Sequence, residues 1–384
     1  MQILVLNAGS SSLKFAVYDG TNAEPALRVT GAVSGLPARP QFRVRAVGGA
    51  TLAELDWPKA AGALDEALAR TLDWLAGEGG VIAPAAIGHR IVHGGLEFDT
   101  PVRLEAETLR RLAALSPLAP LHQPFNLAAV RAAQDRFPGA VQVGCFDTAF
   151  HAGQPRLARL YALPRDLTDG GVLAYGFHGL SYDFIAGELR DRFGPGCGGR
   201  VIVAHLGSGV SLCALTDGQS LATTMGFSAL DGPPMATRSG SLDPGVLLYL
   251  MEDRGMSAAD LTDLLYRRSG LLGVSGESGD VRTLLASDRP EAQEALDLFV
   301  YRLSWEIGGL AAVLGGADRL VFTAEIRARV LQACAWLGAE LDAEANLAGS
   351  EIITTPGSRL QGLVLPTDEQ IIIARAARAL LLDA

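Results

Sequence analysis

Two glycine–serine bends mark this 384-residue chain, and the first carries residue types that hold phosphate. In the first, Gly9-Ser10-Ser11-Ser12 separates the apolar run 2–7 from Leu13 and is followed by Lys14. Backbone N–H groups and hydroxyls at such a bend suit phosphate oxygens. The bland alternative is a hairpin with an exposed lysine. Of 32 basic residues only Lys14 and Lys59 are lysine, so a lysine beside this bend points to a compact ammonium there. The Walker pattern GxxxxGK followed by serine or threonine is absent. In the second bend, Gly207-Ser208-Gly209 stands between His205 and Val210-Ser211-Leu212.

The six histidines, His89, His93, His122, His151, His178 and His205, all fall at strand ends or in loops rich in glycine or proline, where sites are built. A single histidine is more often a satisfied core or surface group. The spacings match no zinc signature, since HExxH and paired Cys/His are both missing. Arg90, Arg238 and Arg282 sit in loop-like sequence, and their guanidinium forks match carboxylate and phosphate. A surface ion pair is the commoner fate of any one of them. Asp147 closes an apolar run, where a charged side chain would face a cleft. Glu369 opens the last helix, where it is either a dipole-stabilised acid or a magnesium contact.

The elements that must position these residues follow from periodicity. Strands are predicted over 2–7, 13–18, 86–93, 140–146, 200–206, 210–216, 319–323 and 362–365, and Asp217-Gly218 marks a hairpin turn toward Ser220-Leu221-Ala222. Helices are predicted over 60–77, 105–115, 124–136, 181–193, 243–254, 257–267, 290–314, 325–338 and about 368–382. The two bends each lie between apolar strands, which suggests a duplicated α/β unit with a cleft between the halves.

Composition sets the limits. Hydrophobic residues are 49% and charged residues 19%, enough for a large core. A net charge of −10 argues against a nucleic-acid surface, although clustered arginines can still take a small anion. No apolar run is long enough to span a membrane. The N-terminus lacks the features of a signal peptide. Cys145, Cys197, Cys213 and Cys334 are scattered, which fits a reducing cytoplasm.

The ordered stretches NAGSSSLKF (7–15), GHRIVHGG (88–95), APLHQP (119–124), FDTAFH (146–151), YGFHG (175–179), HLGSGVS (205–211), MGFSALDG (225–232), TRSGSLDPG (237–245), SGLLGVSG (269–276) and PTDE (366–369) resemble the acetate kinase family, within the acetate and sugar kinase, heat-shock protein and actin superfamily. The resemblance implies an α/β fold of two ribonuclease H-like domains around a cleft. The domains would be 1–150, with the C-terminal helix (about 368–384) packing back, and a nucleotide-binding domain over 151–367. It implies reversible transfer of the ATP γ-phosphoryl group to acetate, giving acetyl phosphate and ADP, with Mg²⁺ or Mn²⁺, in a homodimer. Carried over residue by residue, Asn7 and Glu369 would hold the metal. Arg90 and Arg238 would clamp carboxylate and phosphoryl, His178 would donate to the phosphoryl oxygens and Asp147 would orient the reacting groups. Val92, Leu121 and Phe177 would wall the acyl methyl. Ser10, Ser12 and Lys14 would serve phosphate binding or the fold of that turn, and His205 with Gly207, Ser208 and Gly209 would approach the phosphates. Asp280, Val281, Arg282 and Ala324 would flank the nucleotide.

The chain departs from the family at several points. Ser208 replaces a usual asparagine, Gln123 an asparagine, and Ala229 a proline. Leu180-Ser181-Tyr182 replaces Thr-Ser-His. Between Ala324 and Glu325 a glycine-rich loop of about seven residues is missing. Nucleotide binding would then be weakened, or another donor such as pyrophosphate used, or a mobile stretch belongs there that this sequence lacks. The enzymatic alternatives are a propionate or other short-chain acyl kinase. The non-enzymatic alternative is a nucleotide- or acyl-phosphate-binding relative, against which the retained Asn7, Arg90, Asp147, His178, Arg238 and Glu369 argue.

Overall fold

Residues 2–8 and 13–19 are apolar on both faces, and they form the central strands of the first of two sheets. The computed structural model describes residues 1–9, 12–36, 38–58, 63–323 and 326–383. The chain divides into two units, Met1–Phe150 with Asp368–Ala384, and His151–Thr367.

In the first unit, β1 (Gln2–Ala8), β2 (Leu13–Asp19), β3 (Ala26–Ser34), β4 (Gln41–Ala46) and β5 (Thr51–Asp56) form an antiparallel meander. Then β6 (Ala86–Ile91), β7 (Val102–Arg103) and β8 (Val141–Phe146) complete eight strands in the order β5-β4-β3-β2-β1-β6-β8-β7. β6 runs parallel to β1, and β8 parallel to β6. Side chains alternate between faces. Leu4, Leu6 and Ile87 bury against the helices Leu64–Ala76 and Gln123–Arg136, through Leu68, Leu72, Ala129 and Ala133. The opposite face carries the helix Glu369–Leu382. There Gly88 lies so close that an added Cβ would stand 2.4 Å from Ile373.

In the second unit, β9 (Val201–Leu206), β10 (Val210–Thr216), β11 (Gln219–Thr223), β12 (Arg319–Phe322) and β13 (Gln361–Val364) pair in the order β11-β10-β9-β12-β13. The helix Gly179–Phe193 packs on β9, and the long helix Pro290–Leu314 on β9, β10 and β11. The run β3-β2-β1-β6-β8 repeats this order and these directions. Both have three antiparallel strands followed by two strands parallel to the first. The fold is therefore α/β and internally duplicated, with the ribonuclease H-like strand order in each half.

Several boundaries differ from expectation. Residues 26–56, left unassigned by periodicity, form three strands. The strand at 86–93 ends at Ile91. The helix expected over 60–77 is seen from Leu64, with 59–62 outside the described residues. The helix expected over 325–338 is Arg327–Ala333 followed by a 3₁₀ turn at Ala335–Leu337, so it breaks after about two turns. The Asp217-Gly218 turn has both residues at positive φ (52° and 74°), the conformation a two-residue hairpin requires.

Candidate active site

Strand register builds one cluster of polar groups in the first unit. Val5 pairs with Gly88 and Leu6 with His89, which sets Asn7 beside Arg90 on the face covered by the helix Glu369–Leu382. Arg90 Nε donates to Asp147 Oδ1 at 2.9 Å and Nη2 donates to Oδ2 at 2.6 Å. Its Nη1 donates to Asn7 Oδ1 at 3.5 Å and lies 3.7 Å from Glu369 Oε2. Glu369 is placed by its neighbour, because Asp368 caps the helix by accepting from Gln370 N and Ile371 N. Burial opposes the charge on Arg90, but Asp147 and Glu369 more than offset it and raise its pKa. Burial pushes the Asp147 carboxyl above its ordinary value against the pull of Arg90.

Asn7, Arg90, Asp147 and Glu369 thus come together although the last three stand 83 to 362 positions from Asn7 in the sequence. Lys14 is exposed opposite Asn7 in the β1–β2 ladder. Ser12 O accepts from Gly9 N at 2.8 Å and closes the bend. Ser10 lies outside the described residues. Val92 is buried and Leu121 partly buried in the same unit.

The second unit builds another cluster around the second bend. Ser211 pairs with His205 in the β9–β10 ladder, so both side chains share a face. At the start of the helix Gly179–Phe193, His178 occupies the N-cap in the left-handed conformation, φ 60°. Its Nδ1 lies 2.8 Å from Ser211 Oγ, while His205 Nδ1 lies 2.9 Å from Ser181 Oγ. The two imidazoles stack with centroids 4.3 Å apart. A Cβ on Gly209 would stand 2.9 Å from His178 Nε2 and 3.6 Å from Arg238 Nη1, so only glycine at the bend lets these two groups approach it. Arg238 Nη1 donates to Ala229 O at 2.9 Å. The turn carrying it is held by Met235 N donating to Arg238 O and docks on Gly270, which has no side chain to block it.

Next to this bend is a cavity of about 590 Å³. It is lined by Leu206, Gly207, Ser208, Val210, Ala236, Leu271, Gly279, Asp280, Val281, Arg282, Phe299 and Ile326. It brings together the bend and the 280–282 segment, where Asp280 caps the next helical turn and accepts from Arg282 Nε and Nη2. Ala324 lies outside the described residues. Ile326, which follows, has φ +73°, a strained conformation for a β-branched residue.

Other histidines belong to the fold. His89 Nε2 contacts Gln142 Oε1 at 2.7 Å, and His151 contacts Ser220 Oγ and Phe177 O. Phe177 is itself fully buried. Burial pushes His89, His93 and His151 down to about 4 from 6.5. Unfolding returns them to their ordinary value, so the stability this contributes is whole above pH 6.5 and drains as pH falls toward 4. Each histidine accounts for on the order of 3 kcal/mol by pH 4. The urea midpoint should therefore fall markedly between pH 7 and pH 5. A midpoint unchanged over that range would contradict these buried neutral rings.

Sequence reasoning missed Asn126, Ser181, Tyr182 and Ser211. Asn126 Nδ2 donates to Ala8 O at 2.7 Å and its Oδ1 accepts from Val92 N at 3.0 Å, which fixes Asn7 and Val92 from behind. Gln123 clamps both backbone groups of His93, and this gives the residue a fold role at a departure from the family pattern. No sequence periodicity marks these residues, because their partners lie across the sheet.

Among the described residues no group of three or more His, Cys, Asp or Glu forms a metal cage. Asn7 and Glu369 offer hard oxygen donors, while both oxygens of Asp147 are engaged by Arg90. That donor set fits Mg²⁺, which keeps several waters and takes one or two carboxylates together with substrate phosphates.

The Acetokinase family profile matches residues 2–375. The acetate kinase of Rhodopseudomonas palustris (strain TIE-1) is 50% identical over 386 aligned residues, covering 97% of this chain and 96% of that protein. Among solved structures, Porphyromonas gingivalis acetate kinase is 33% identical with a TM-score of 0.86, covering 99% of each chain. A propionate kinase from Francisella tularensis is 32% identical with a TM-score of 0.90, covering 98% of this chain and 99% of that one.

Proposed function

The chain belongs to the acetokinase family, and we propose that its two polar clusters carry the reversible transfer of a phosphoryl group between ATP and acetate, giving acetyl phosphate and ADP. The observation that carries the residue assignment is the Gly209 bend, where His178 Nε2 and the Arg238 guanidinium meet beside the 590 Å³ cavity.

A carboxylate oxygen of acetate attacks the γ-phosphorus in line. The new O–P bond forms as the bond to the β,γ-bridging oxygen breaks, and ADP leaves with that electron pair. Negative charge spreads over the three equatorial oxygens and needs positioning and neutralisation more than covalent help. Arg90, Arg238 and His178 supply preorganised donors for it. Asp147 locks the Arg90 fork, and Val92, Leu121 and Phe177 wall the methyl group. The bend Gly207 to Gly209, closed by Gly207 N donating to Gly209 O at 3.0 Å, approaches the phosphates with Ser12 and Lys14, as His205 does beside His178. The nucleoside lies along Asp280, Val281 and Arg282. Asn7 and Glu369 would hold Mg²⁺, which when bound neutralises phosphate charge.

The test is acyl hydroxamate formation by the full chain with ATP or pyrophosphate on acetate, propionate and butyrate. Acetyl hydroxamate should form with ATP. Propionate should follow within about 10- to 200-fold, since one methylene discriminates only weakly. Product with pyrophosphate alone would assign another donor, and no product with any donor would leave a binding protein.

The same reading extends to a homodimer and to the cytoplasm. The helix Pro244–Glu252 buries none of its residues, and Leu248, Tyr249, Tyr301 and Trp305 are about half exposed or more. Surface of that kind marks association. Sedimentation should give twice the 40.2 kDa chain mass, and a monomer at micromolar concentration would refute the dimer. No disulfide joins the four buried cysteines, which suits a reducing compartment. No described helix is long and apolar enough to cross a membrane.

A further inference from the structure

The ladders of β6 with β1 and with β8 end at His89 and Ile91. Past them, the four amides of Val92-His93-Gly94-Gly95 all donate to side chains. Val92 N donates to Asn126 Oδ1 at 3.0 Å and His93 N to Gln123 Oε1 at 3.2 Å. Gly94 N donates to Thr148 Oγ1 at 3.0 Å and Gly95 N to His93 Nδ1 at 2.9 Å. The carbonyls are engaged as well, since His93 O accepts from Gln123 Nε2 and Gly94 O from Phe98 N, both at 3.0 Å. Gln123 and Asn126 stand three residues apart, so the first turn of the helix Gln123–Arg136 presents both on one face. Thr148 comes from the other side, just past β8. The second arm of Asn126, Nδ2 donating to Ala8 O at 2.7 Å, ties the same point to the end of β1. Each carboxamide meets a backbone N–H with its oxygen and a backbone carbonyl with its nitrogen, which fixes its orientation.

We propose that Asn126, Gln123 and Thr148 are positioning residues that hold Val92 as an unyielding wall, and so set how strongly acids longer than acetate are excluded. A pocket discriminates against an added methylene only as far as its wall cannot withdraw. Val92 is tied through its own amide and those of the next two residues, and all three acceptors are buried. Withdrawal of the wall would leave buried N–H groups without partners, which is costly. The wall is therefore held by three side chains that touch no substrate. The inference rests on the reading of Val92 as a wall of the acyl methyl.

The test is steady-state kinetics of the full chain on acetate, propionate and butyrate with ATP, for Asn126→Ala, Gln123→Met, Thr148→Val and Val92→Ala. Asn126→Ala frees the Val92 amide itself. It should raise the propionate-to-acetate ratio of kcat/KM about 5- to 10-fold, part of the 10- to 200-fold that one methylene commands, and the butyrate ratio further. Gln123→Met and Thr148→Val keep the side-chain volume and remove the acceptor, and should raise the ratio about 2- to 5-fold. Both acids are measured on one sample, so the folded fraction and any turnover lost through the freed Ala8 carbonyl cancel. A merely structural role would lower both acids alike and leave the ratio unmoved. Ratios equal to or below the parent's in the clamp variants, with a raised ratio in Val92→Ala, would overturn the proposal. Should Asn126→Ala yield no folded chain, Gln123→Met and Thr148→Val decide it. An unchanged ratio in Val92→Ala would instead overturn the reading beneath it.

Discussion

Replacing Arg238 by alanine should slow turnover by at least ~10²–10³-fold, the usual effect of removing one preorganised donor from developing charge. The chain should still fold. Met235 N donates to Arg238 O through the backbone, and Gly270 receives that turn whatever side chain stands at 238. Urea unfolding should match the parent chain while acetyl phosphate formation collapses, with kcat and kcat/KM falling together because the contact is made in the transition state. Turnover within a few-fold of the parent would remove Arg238 from the clamp.

Arg90→Ala should behave differently, and the contrast is informative. Asp147 is 1% exposed and accepts from Arg90 through both carboxylate oxygens. Truncating the arginine leaves a buried carboxylate without its fork, which costs about 3–5 kcal/mol of stability. Activity should fall as steeply as for Arg238→Ala, and the first unit should also unfold at lower urea. Arg90→Lys should recover part of the stability but little activity, because an ammonium cannot form the bidentate contact. An Arg90→Ala chain as stable as the parent would mean that Asp147 does not depend on this ion pair.

The parts of the fold legible from sequence were those with local signals. The hairpin of β1 and β2 announces itself by two apolar runs and a glycine bend, and the Asp217-Gly218 turn by its chemistry. β3, β4 and β5 do not. β3 and β5 carry mostly half-buried or exposed side chains without clean alternation, while β4 alternates buried Phe42 and Val44 with exposed Arg43 and Arg45 over a run too short to stand out from its neighbours. The duplication was faintly visible in the echo of two bends, but strand order depends on pairings no local window contains.

The clusters show the same division. Asn7, Arg90, Asp147, His178, Arg238 and Glu369 could be singled out because charged or glycine-flanked residues at apolar boundaries stand out. His89 and His151 stood out equally, yet they are core groups bonded to Gln142 and Ser220. Ser211 and Tyr182 could not be picked, since an apolar strand serine and a helical tyrosine are unremarkable until ladder register faces them toward His178. Val92 and Leu121 fall in the first unit and Phe177 in the second, a division that motif order does not reveal.

The central claim is that Arg90, His178 and Arg238 stabilise one transition state of phosphoryl transfer to acetate. The most direct measurement is slow, tight inhibition by ADP, Mg²⁺ and aluminium fluoride, which mimic the transferring phosphoryl group, with and without acetate. Transition-state analogues bind far more tightly than substrates, and that excess vanishes with the groups that create it. Trapping should require acetate and ADP together, and Arg90→Ala, His178→Ala and Arg238→Ala should each weaken it by the factor by which they lower kcat/KM. Variants that trap as tightly as the parent chain while turning over slowly would contradict the account.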